Sequence, residues 1–136
     1  MSSLRELPVY EVKSGQRKSL IEALEGRKSL LEFWSPLTEN GPRTLDDLQI
    51  ISGSVRFADY QFVSVCCSTL QEFTGLLEKN DSSSRWSRLS MLLVWEEDQE
   101  TVKEAFGISH YPHYVVLSTD GSFIVSSKVL DLSALP

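Results

Sequence analysis

The sequence lacks the features that mark membrane-spanning and disulfide-stabilised secreted proteins. It has no apolar run of about 18 residues, the length needed to cross a bilayer. Its only cysteines, Cys66 and Cys67, are adjacent and cannot cross-link distant parts of the chain. Residues 1–8 contain no apolar signal-peptide core, and we expect them to form a flexible N-terminus. These absences favour a cytoplasmic protein in a reducing compartment.

An excess of positive charge is also missing. The chain of 136 residues carries 13 Lys and Arg against 19 Asp and Glu, with a formal net charge of -6 and a pI near 4.9. Nucleic acids and anionic membranes select basic surfaces, so neither is expected as a partner, and a protein or peptide is. Because 41% of the residues are hydrophobic, the chain can form a single domain over 1–136 with its own core.

Short apolar segments alternate with segments of helical periodicity along the chain. The apolar segments predict strands at 9–13, 29–34, 62–66, 89–95, 114–117 and 123–125. The periodic segments predict helices at 19–25, 69–77 and 98–106, and a further helix that is entered through Thr44. Asp120-Gly121 predicts a hairpin, and 80–84 a mobile loop. This order predicts an α/β fold, with a central mixed β-sheet flanked by helices on both faces and a C-terminal β-hairpin.

Two motifs carry a resemblance to a known family. The segment 32–42, EFWSPLTENGP, resembles the active-site stretch of thioredoxins, in which an acid-Phe-Trp strand end leads into Trp-Cys-x-x-Cys. The segment 106–112, FGISHYP, resembles the family's approach to its cis-proline. The chain is therefore similar to the thioredoxin-like superfamily, and within it to the tryparedoxin and nucleoredoxin branch. This resemblance implies the thioredoxin fold over nearly the whole chain.

The family's redox motif has lost its cysteines here. Residue by residue, the two redox cysteines fall on Thr38 and Gly41, and the tryptophan before them falls on Leu37. Disulfide exchange needs one thiolate to attack and a second thiol to resolve the mixed disulfide, and neither threonine nor glycine supplies a thiol. The resemblance thus implies a redox-inactive member. What remains is a vestigial loop formed by Leu37, Thr38, Glu39, Asn40 and Gly41.

Three further positions gain a role from the resemblance. Pro112 matches the cis-proline, and the backbone of Tyr111 before it would pair with an extended peptide. Glu32 matches the buried acid that exchanges a proton with a redox cysteine. Without that cysteine, Glu32 is either a remnant in a desolvated position or a surface glutamate on the other face of the sheet.

Some of these residues also have a purely structural interpretation. Thr38 or Asn40 would serve as a cap or turn residue where the loop enters a helix. His110 and His113 are expected to be ordinary surface histidines, because their spacing fits no known zinc motif. The sequence therefore predicts no metal site.

The leading functional hypothesis is a non-catalytic module that binds a protein or peptide through the vestigial loop and Tyr111-Pro112, without a cofactor. An enzyme with altered thiol chemistry is the alternative, with glutathione-type handling at Thr38 or a single-cysteine reaction at Cys66 or Cys67. Alternation along a strand predicts instead that these two thiols are buried on opposite faces of the sheet. A structural subunit of a larger assembly is the third possibility, and the oligomeric state stays open.

Overall fold

Seven strands and five α-helices make up the part of the chain that the computed structural model describes, residues 6–120 and 122–130. The strands are β1 (Pro8–Glu11), β2 (Gln16–Ser19), β3 (Ser29–Trp34), β4 (Gln61–Cys67), β5 (Leu89–Val94), β6 (His113–Leu117) and β7 (Phe123–Ser127). The helices are α1 (Leu20–Leu24), α2 (Gly41–Ser52), α3 (Leu70–Lys79), α4 (Ser82–Arg85) and α5 (Gln99–Phe106). Short 3-10 helices occupy Val55–Phe57 and Glu96–Asp98. Among these residues, no helix combines the length and the apolar character needed to traverse a bilayer.

All seven strands join one mixed sheet in the order β2-β1-β5-β4-β3-β6-β7. The three central strands β5, β4 and β3 are parallel, and the outer pairings are antiparallel. This arrangement confirms the predicted α/β class, the mixed sheet and the C-terminal hairpin, which β6 and β7 form. Gly121, which belongs to the predicted hairpin turn, lies outside the described residues.

The two faces of the sheet bury two separate cores. Side chains on β3 alternate between them: Leu31 and Phe33 join the core that α1 and α5 cover, whereas Leu30 and Trp34 join the core that α2 and α3 cover. The strand is buried along its whole length, as expected for a central strand with helices on both faces. The Trp34 indole N–H on this strand donates to Ser64 Oγ at 2.5 Å.

Local sequence signals set several helix boundaries. Thr69 begins α3 as a capping box: its hydroxyl accepts from the Glu72 backbone, and the Glu72 carboxylate accepts from the Thr69 backbone. Ser19 and Glu22 cap α1 in the same way. Gly107 ends α5 with a φ of 68°, the left-handed conformation that glycine adopts without a steric penalty.

The N-terminal part of the sheet differs from the sequence-based prediction. Gln16–Ser19, with sequence QRKS, forms β2 and pairs with β1, although its residues are polar. An edge strand needs no apolar alternation, so the pattern could not reveal it. Residues 1–5 lie outside the described part of the chain, and Leu7 is 4% exposed while Pro8 begins β1. The expected flexible segment therefore does not extend to Leu7 and Pro8.

Two further local predictions were wrong. The second helix begins at Gly41 rather than at Thr44, because Pro42 fits the first helical turn, where its missing N–H costs no hydrogen bond. The predicted mobile loop 80–84 contains the start of α4. Arg85 anchors this short helix to α2 through paired hydrogen bonds of 2.7 Å to the Asp46 carboxylate.

Candidate functional site

One edge of the sheet brings together the segments that the sequence analysis singled out. The parallel strands β3 and β4 end there, at Trp34 and Cys67, and the antiparallel β6 begins there. Phe33 pairs with His113, so Tyr111 and Pro112 lie beside the start of the loop that follows β3. The vestigial loop and the proline turn are thus neighbours, although about 70 residues separate them in the sequence.

The vestigial loop is held by hydrogen bonds to Ser35. The Thr38 backbone N–H and hydroxyl both donate to the Ser35 carbonyl, at 3.1 Å and 2.8 Å, and the Leu37 N–H donates to Ser35 Oγ at 3.2 Å. Leu37 itself projects outward and is 76% exposed. The loop therefore presents an apolar side chain from a backbone fixed by its own polar groups.

Thr38 and Asn40 were predicted to be cap or turn residues: neither caps α2 through its side chain, but Thr38 closes a turn through its backbone hydrogen bond to Ser35. The Thr38 hydroxyl donates its single proton to the Ser35 carbonyl. Asn40 occupies the N-cap position of α2, but its side chain makes no capping hydrogen bond within the described residues. Glu39, between them, is exposed.

Gly41 lies in a tight space, where a side chain would crowd its neighbours. A Cβ at this position would approach the Ser35 carbonyl oxygen to 3.0 Å, Trp34 Cε3 to 3.3 Å and Thr38 Oγ1 to 3.6 Å. Glycine is thus used here for the close approach of the loop to Trp34.

Glu32 lies in the core directly beneath this loop. It is 0% exposed, and it faces α2, where the Thr44 hydroxyl lies 2.5 Å from its Oε2. Burial raises the pKa of its carboxyl to about 7, and the hydrogen bond with Thr44 opposes that rise only in part. Of the two positions that the sequence left open, the structure has the buried one. Tyr114, opposite Glu32 across β3 and β6, interacts with the same carboxyl, and burial together with the Glu32 charge raises its own pKa.

The proline turn, Tyr111-Pro112, lies at the same end of the sheet as the vestigial loop and packs against the core on the other face. The Tyr111-Pro112 peptide bond is cis, as the resemblance implied. Tyr111 is half-buried, interacts with the thiol of Cys67, and has the Lys103 ammonium 6.0 Å from its ring centroid. Its phenol pKa is raised by burial and by the neighbouring Cys67.

The two histidines around the turn differ from each other. His110 is exposed, as expected, but His113 is 4% exposed, so the prediction of a surface residue was wrong for it. Its position on β6 turns its side chain toward the core that contains Val115. His113 Nε2 lies 2.5 Å from Ser126 Oγ. The described residues contain no cluster of His, Cys, Asp or Glu able to hold a metal ion.

Cys66 and Cys67 are free thiols buried on opposite faces of the sheet, as the strand pattern predicted. Burial raises the pKa of both thiols, that of Cys67 to about 11, even though a hydrogen bond with Tyr111 acts in the opposite direction. At neutral pH both are held as thiols, which are poor nucleophiles.

Sequence reasoning missed the partners of Glu32. Thr44 was noticed only as a helix entry, and Tyr114 only as a strand residue. Both contacts depend on how α2 and β6 pack against β3, which no local pattern encodes. Because side chains alternate along a strand, Tyr114 could have been placed near Glu32 from the sequence, but only if β3 and β6 were already known to pair.

Comparisons with solved structures match the whole domain. The thioredoxin domain of a thiol-disulfide oxidoreductase from Bacteroides vulgatus superposes with a TM-score of 0.71 at 17% identity, covering 93% of this chain and 85% of that chain. A secreted Mycobacterium tuberculosis disulfide oxidoreductase homologous to E. coli DsbE gives 0.63 at 13% identity, covering 96% and 88%. The exposed lipoprotein thioredoxin Etrx1 from Streptococcus pneumoniae gives 0.65 at 16% identity, covering 91% and 89%.

The chain has a thioredoxin fold. No family model and no curated protein sequence matches it, so the evidence for this likeness is structural. The thioredoxin-fold proteins above are named as disulfide oxidoreductases or thioredoxins, whereas this chain has no Cys-x-x-Cys motif.

Proposed function

We propose that this thioredoxin-fold chain is a redox-inactive module that binds a protein or peptide at the edge formed by the vestigial loop and Tyr111-Pro112. The observation that carries this proposal is the exposed Leu37, which stands on a hydrogen-bonded loop from which both thiols are missing. Tyrosine is among the side chains that contribute most to binding, and Leu37 adds exposed apolar area at the same edge as Tyr111.

The thiol chemistry of the chain supports the inactive half of the proposal. The hydroxyl of Thr38 and the bare Gly41 supply no redox couple. Cys67 lies nearest to this edge, but its thiol is 5% exposed and its pKa is raised to about 11 by burial. A single-cysteine enzyme needs an accessible thiolate, and these properties disfavour one.

Two further residues at this edge of the sheet support the binding half. Leu70, the first residue of α3, is 39% exposed and follows the end of β4 at the same edge of the sheet. Tyr111 adds a half-buried aromatic ring with a polar tip, a side chain common in binding surfaces. These residues suit a partner segment with apolar side chains.

The remaining expectations belong to the same proposal. We place the chain in the tryparedoxin and nucleoredoxin branch on the strength of its two motifs, and in the cytoplasm on its adjacent, unpaired cysteines. Its net charge of -6 supports a protein partner over nucleic acid or an anionic membrane. Neither a cofactor nor a metal enters this function.

Peptides selected from a displayed random library against the wild-type protein test the proposal. We expect Leu37→Asp to weaken the selected peptides by about tenfold or more, because a charge replaces the apolar anchor. Titration calorimetry measures the affinity, and circular dichroism checks the fold. Tyr111→Asp should act in the same direction, although Leu37 is the sharper probe because Tyr111 also packs against the core.

Ile50→Asp is the matched control. Ile50 is 73% exposed on α2, away from the vestigial loop, so its substitution should leave binding intact. Peptides that lose affinity for the Ile50 variant but bind the Leu37 variant normally would place the binding surface elsewhere. Failure to select any peptide that binds the folded protein would count against a binding function at this edge.

A further inference from the structure

A cavity of about 610 Å³ opens at the end of the sheet opposite the vestigial loop. β5 runs parallel to β3 and β4, whose last residues lie at the vestigial loop, so its first residues, Leu89 and Ser90, lie at the opposite end. The start of β5 lines the cavity together with the turn after β1 and with α4 and the residues that follow it. The cavity volume is in the range of small-molecule sites, about 300–1,000 Å³.

The cavity lies where β5, within the described part of the chain, has a strand neighbour on one side only. β4 pairs with β5 from Leu89 onward, whereas β1 pairs with it only from Leu92 onward. One further hydrogen bond, from the Val12 N–H to the Met91 carbonyl at 3.1 Å, follows the end of β1. Because side chains alternate along a strand, Ser90 faces one side of the sheet and its neighbours Leu89 and Met91 face the other. All three line the cavity, which therefore reaches both faces around the free edge of β5.

Hydrogen bonds hold both walls of the cavity. On the side of β1, the turn is closed by the Gly15 N–H, which donates to the Glu11 carbonyl at 2.8 Å. On the other side, Asp46 of α2 holds α4 and the residue that follows it. Its carboxylate accepts hydrogen bonds from Arg85 and, at 2.9 Å, from the indole N–H of Trp86. The walls therefore keep their positions without a ligand, as in most small-molecule sites.

Part of the lining is apolar. Trp86, Leu89 and Met91 line the cavity and belong to the core under α2 and α3. Ala23 lines it from α1, and the half-buried Val12 lines it from the turn after β1. These side chains suit a ligand with a ring or hydrocarbon body, because contact with that body removes apolar surface from water.

The polar groups that remain unpaired around the cavity are mainly hydrogen-bond donors. Within the described residues, the Lys13 ammonium and the Arg88 guanidinium form no ion pair or hydrogen bond, and the hydroxyls of Ser82 and Ser90 form no hydrogen bond. Ammonium and guanidinium groups only donate, and each hydroxyl has one proton to donate. A ligand that pairs with these groups therefore has to bring several acceptor oxygens.

The charges around the cavity favour an anion. Glu11 is paired with Lys18, with 2.9 Å between Oε1 and Nζ, and these two charges offset each other. Among the charged residues that line the cavity, Lys13 and Arg88 then remain against a single carboxylate, that of Glu25. Because the net charge of the chain is -6, this excess of positive charge is local and opposite in sign to the charge of the whole molecule.

We propose that this cavity binds a small phosphate monoester, with the phosphate against Lys13 and the serine hydroxyls and the ring or hydrocarbon body against the apolar lining. A phosphate monoester carries a charge of about -1.5 to -2 at neutral pH and three acceptor oxygens, so it can pair with several donors at once. A carboxylate brings only two oxygens and a single charge. The site is separate from the peptide-binding edge of the proposed function and does not depend on it.

Phenyl phosphate is the probe that tests this proposal, because it joins a phosphate to a small apolar ring. In ¹H–¹⁵N NMR spectra of the full chain, we expect saturable shifts of the amide signals of Lys13, Ser82 and Ser90, with a Kd of about 1 mM or below. Inorganic phosphate, which lacks the ring, and phenol, which lacks the charge, should each bind at least about tenfold more weakly.

Lys13→Gln should weaken the binding of phenyl phosphate at least about fivefold, because it removes a charged donor. Lys128→Gln is the matched control: Lys128 is also an exposed lysine, it does not line the cavity, and its substitution should leave the affinity unchanged. Ser90→Val should lower the affinity as well, since it removes a hydroxyl and narrows the opening at the free edge of β5. Circular dichroism checks the fold of this variant, and Ser82→Ala provides the same test at the surface if Ser90→Val does not fold.

Equal losses in Lys13→Gln and Lys128→Gln would show that phenyl phosphate responds to the net charge of the chain rather than to this cavity, and would overturn the proposal. The absence of saturable shifts at about 10 mM phenyl phosphate would overturn it too. Lipid headgroups carry the same phosphate chemistry. Sedimentation with phosphatidylcholine vesicles that contain phosphatidic acid should leave the protein in solution, and co-sedimentation that Lys13→Gln abolishes would assign the cavity to a membrane lipid instead.

Discussion

The hydrogen-bond partners of the buried His113 decide which role its ring Nε2 has. His113 and Ser126 resemble the base and nucleophile of a hydrolase, with Nε2 and Oγ separated by 2.5 Å. However, the Ser126 hydroxyl donates to the Phe106 carbonyl at 2.8 Å, so it must accept from His113. The imidazole then carries its proton on Nε2 and cannot act as a base toward Ser126. The pair ties β7 to the end of α5 and is structural.

Burial also limits the reactivity of the two cysteines. Cys66 is 0% exposed and Cys67 is 5% exposed, and burial raises both thiol pKa values. We expect a maleimide to label the native protein at least about a hundredfold more slowly than the unfolded chain, because labelling must wait for an opening of the structure. Mass spectrometry of the Cys66→Ser and Cys67→Ser variants assigns each rate. Rapid labelling of one native thiol would instead favour the single-cysteine enzyme.

At the scale of elements, the predictability of a segment depended on how much apolar surface it buries. The bounds of β3 were predicted to the residue, because SLLEFW is apolar enough to stand out from its polar flanks. The polar edge strand β2 gave no such signal. The entry into α2 was misplaced because Pro36 and Pro42 both favour turns, and only the packing of Gly41 against Trp34 shows where the helix starts.

The assignment of the loop between β3 and α2 can be tested by restoring the two cysteines of the thioredoxin motif. A Cβ at Gly41 would lie 3.6 Å from Thr38 Oγ1, so the two side chains face each other at a separation compatible with a disulfide. We expect Thr38→Cys with Gly41→Cys to form an internal disulfide that mass spectrometry detects. The wild-type protein should reduce insulin disulfides no faster than a blank.

Gly41→Cys alone is the control for strain. Its Cβ would crowd the Ser35 carbonyl at 3.0 Å, and we expect a loss of about 1–3 kcal/mol in the single variant. If the double variant stays folded but keeps both thiols free under oxidising conditions, the assignment of these two positions is wrong. Insulin reduction by the wild type would likewise contradict a redox-inactive loop.

The whole molecule responds to pH through the balance of its buried and surface carboxyls. The native pKa of Glu32 is about 7, against an ordinary value of 4.5, so between these values the native state binds more protons than the unfolded chain. Its contribution to stability is therefore complete below about pH 4.5 and is lost as pH rises through about 7. Glu72 has the opposite sign, because hydrogen bonds from Ser68 and Thr69 lower its pKa.

Denaturant unfolding of Glu32→Gln should reveal this linkage. The variant should gain stability relative to the wild type as pH rises from about 5 to about 8, by up to about 3 kcal/mol, which corresponds to the shift in pKa. For Glu72→Gln, the difference should be a loss of stability that is already complete at about pH 5.5 and stays constant above it. A Glu32→Gln difference that does not change with pH would show that the native carboxyl is not held neutral.

The sequence predicted the architecture of the whole molecule better than its site. Strand and helix order, with Asp120-Gly121 for the final hairpin, was enough for the α/β class and the mixed sheet. The loop residues could be singled out because the motif is continuous in sequence. Glu32, Thr44 and Tyr114 come from three different elements, and the contacts among them arise only when α2 and β6 pack on β3.

The placement of two adjacent thiols on opposite faces of one strand gives the molecule a pair of independent internal probes. Cys66 belongs to the core under α2 and α3, and Cys67 to the core under α1 and α5. A disturbance that loosens only one half of the sandwich exposes one sulfur and leaves its neighbour in sequence protected. The ratio of thiol exchange at these positions therefore reads out which side of the sheet opens first, without any engineered label.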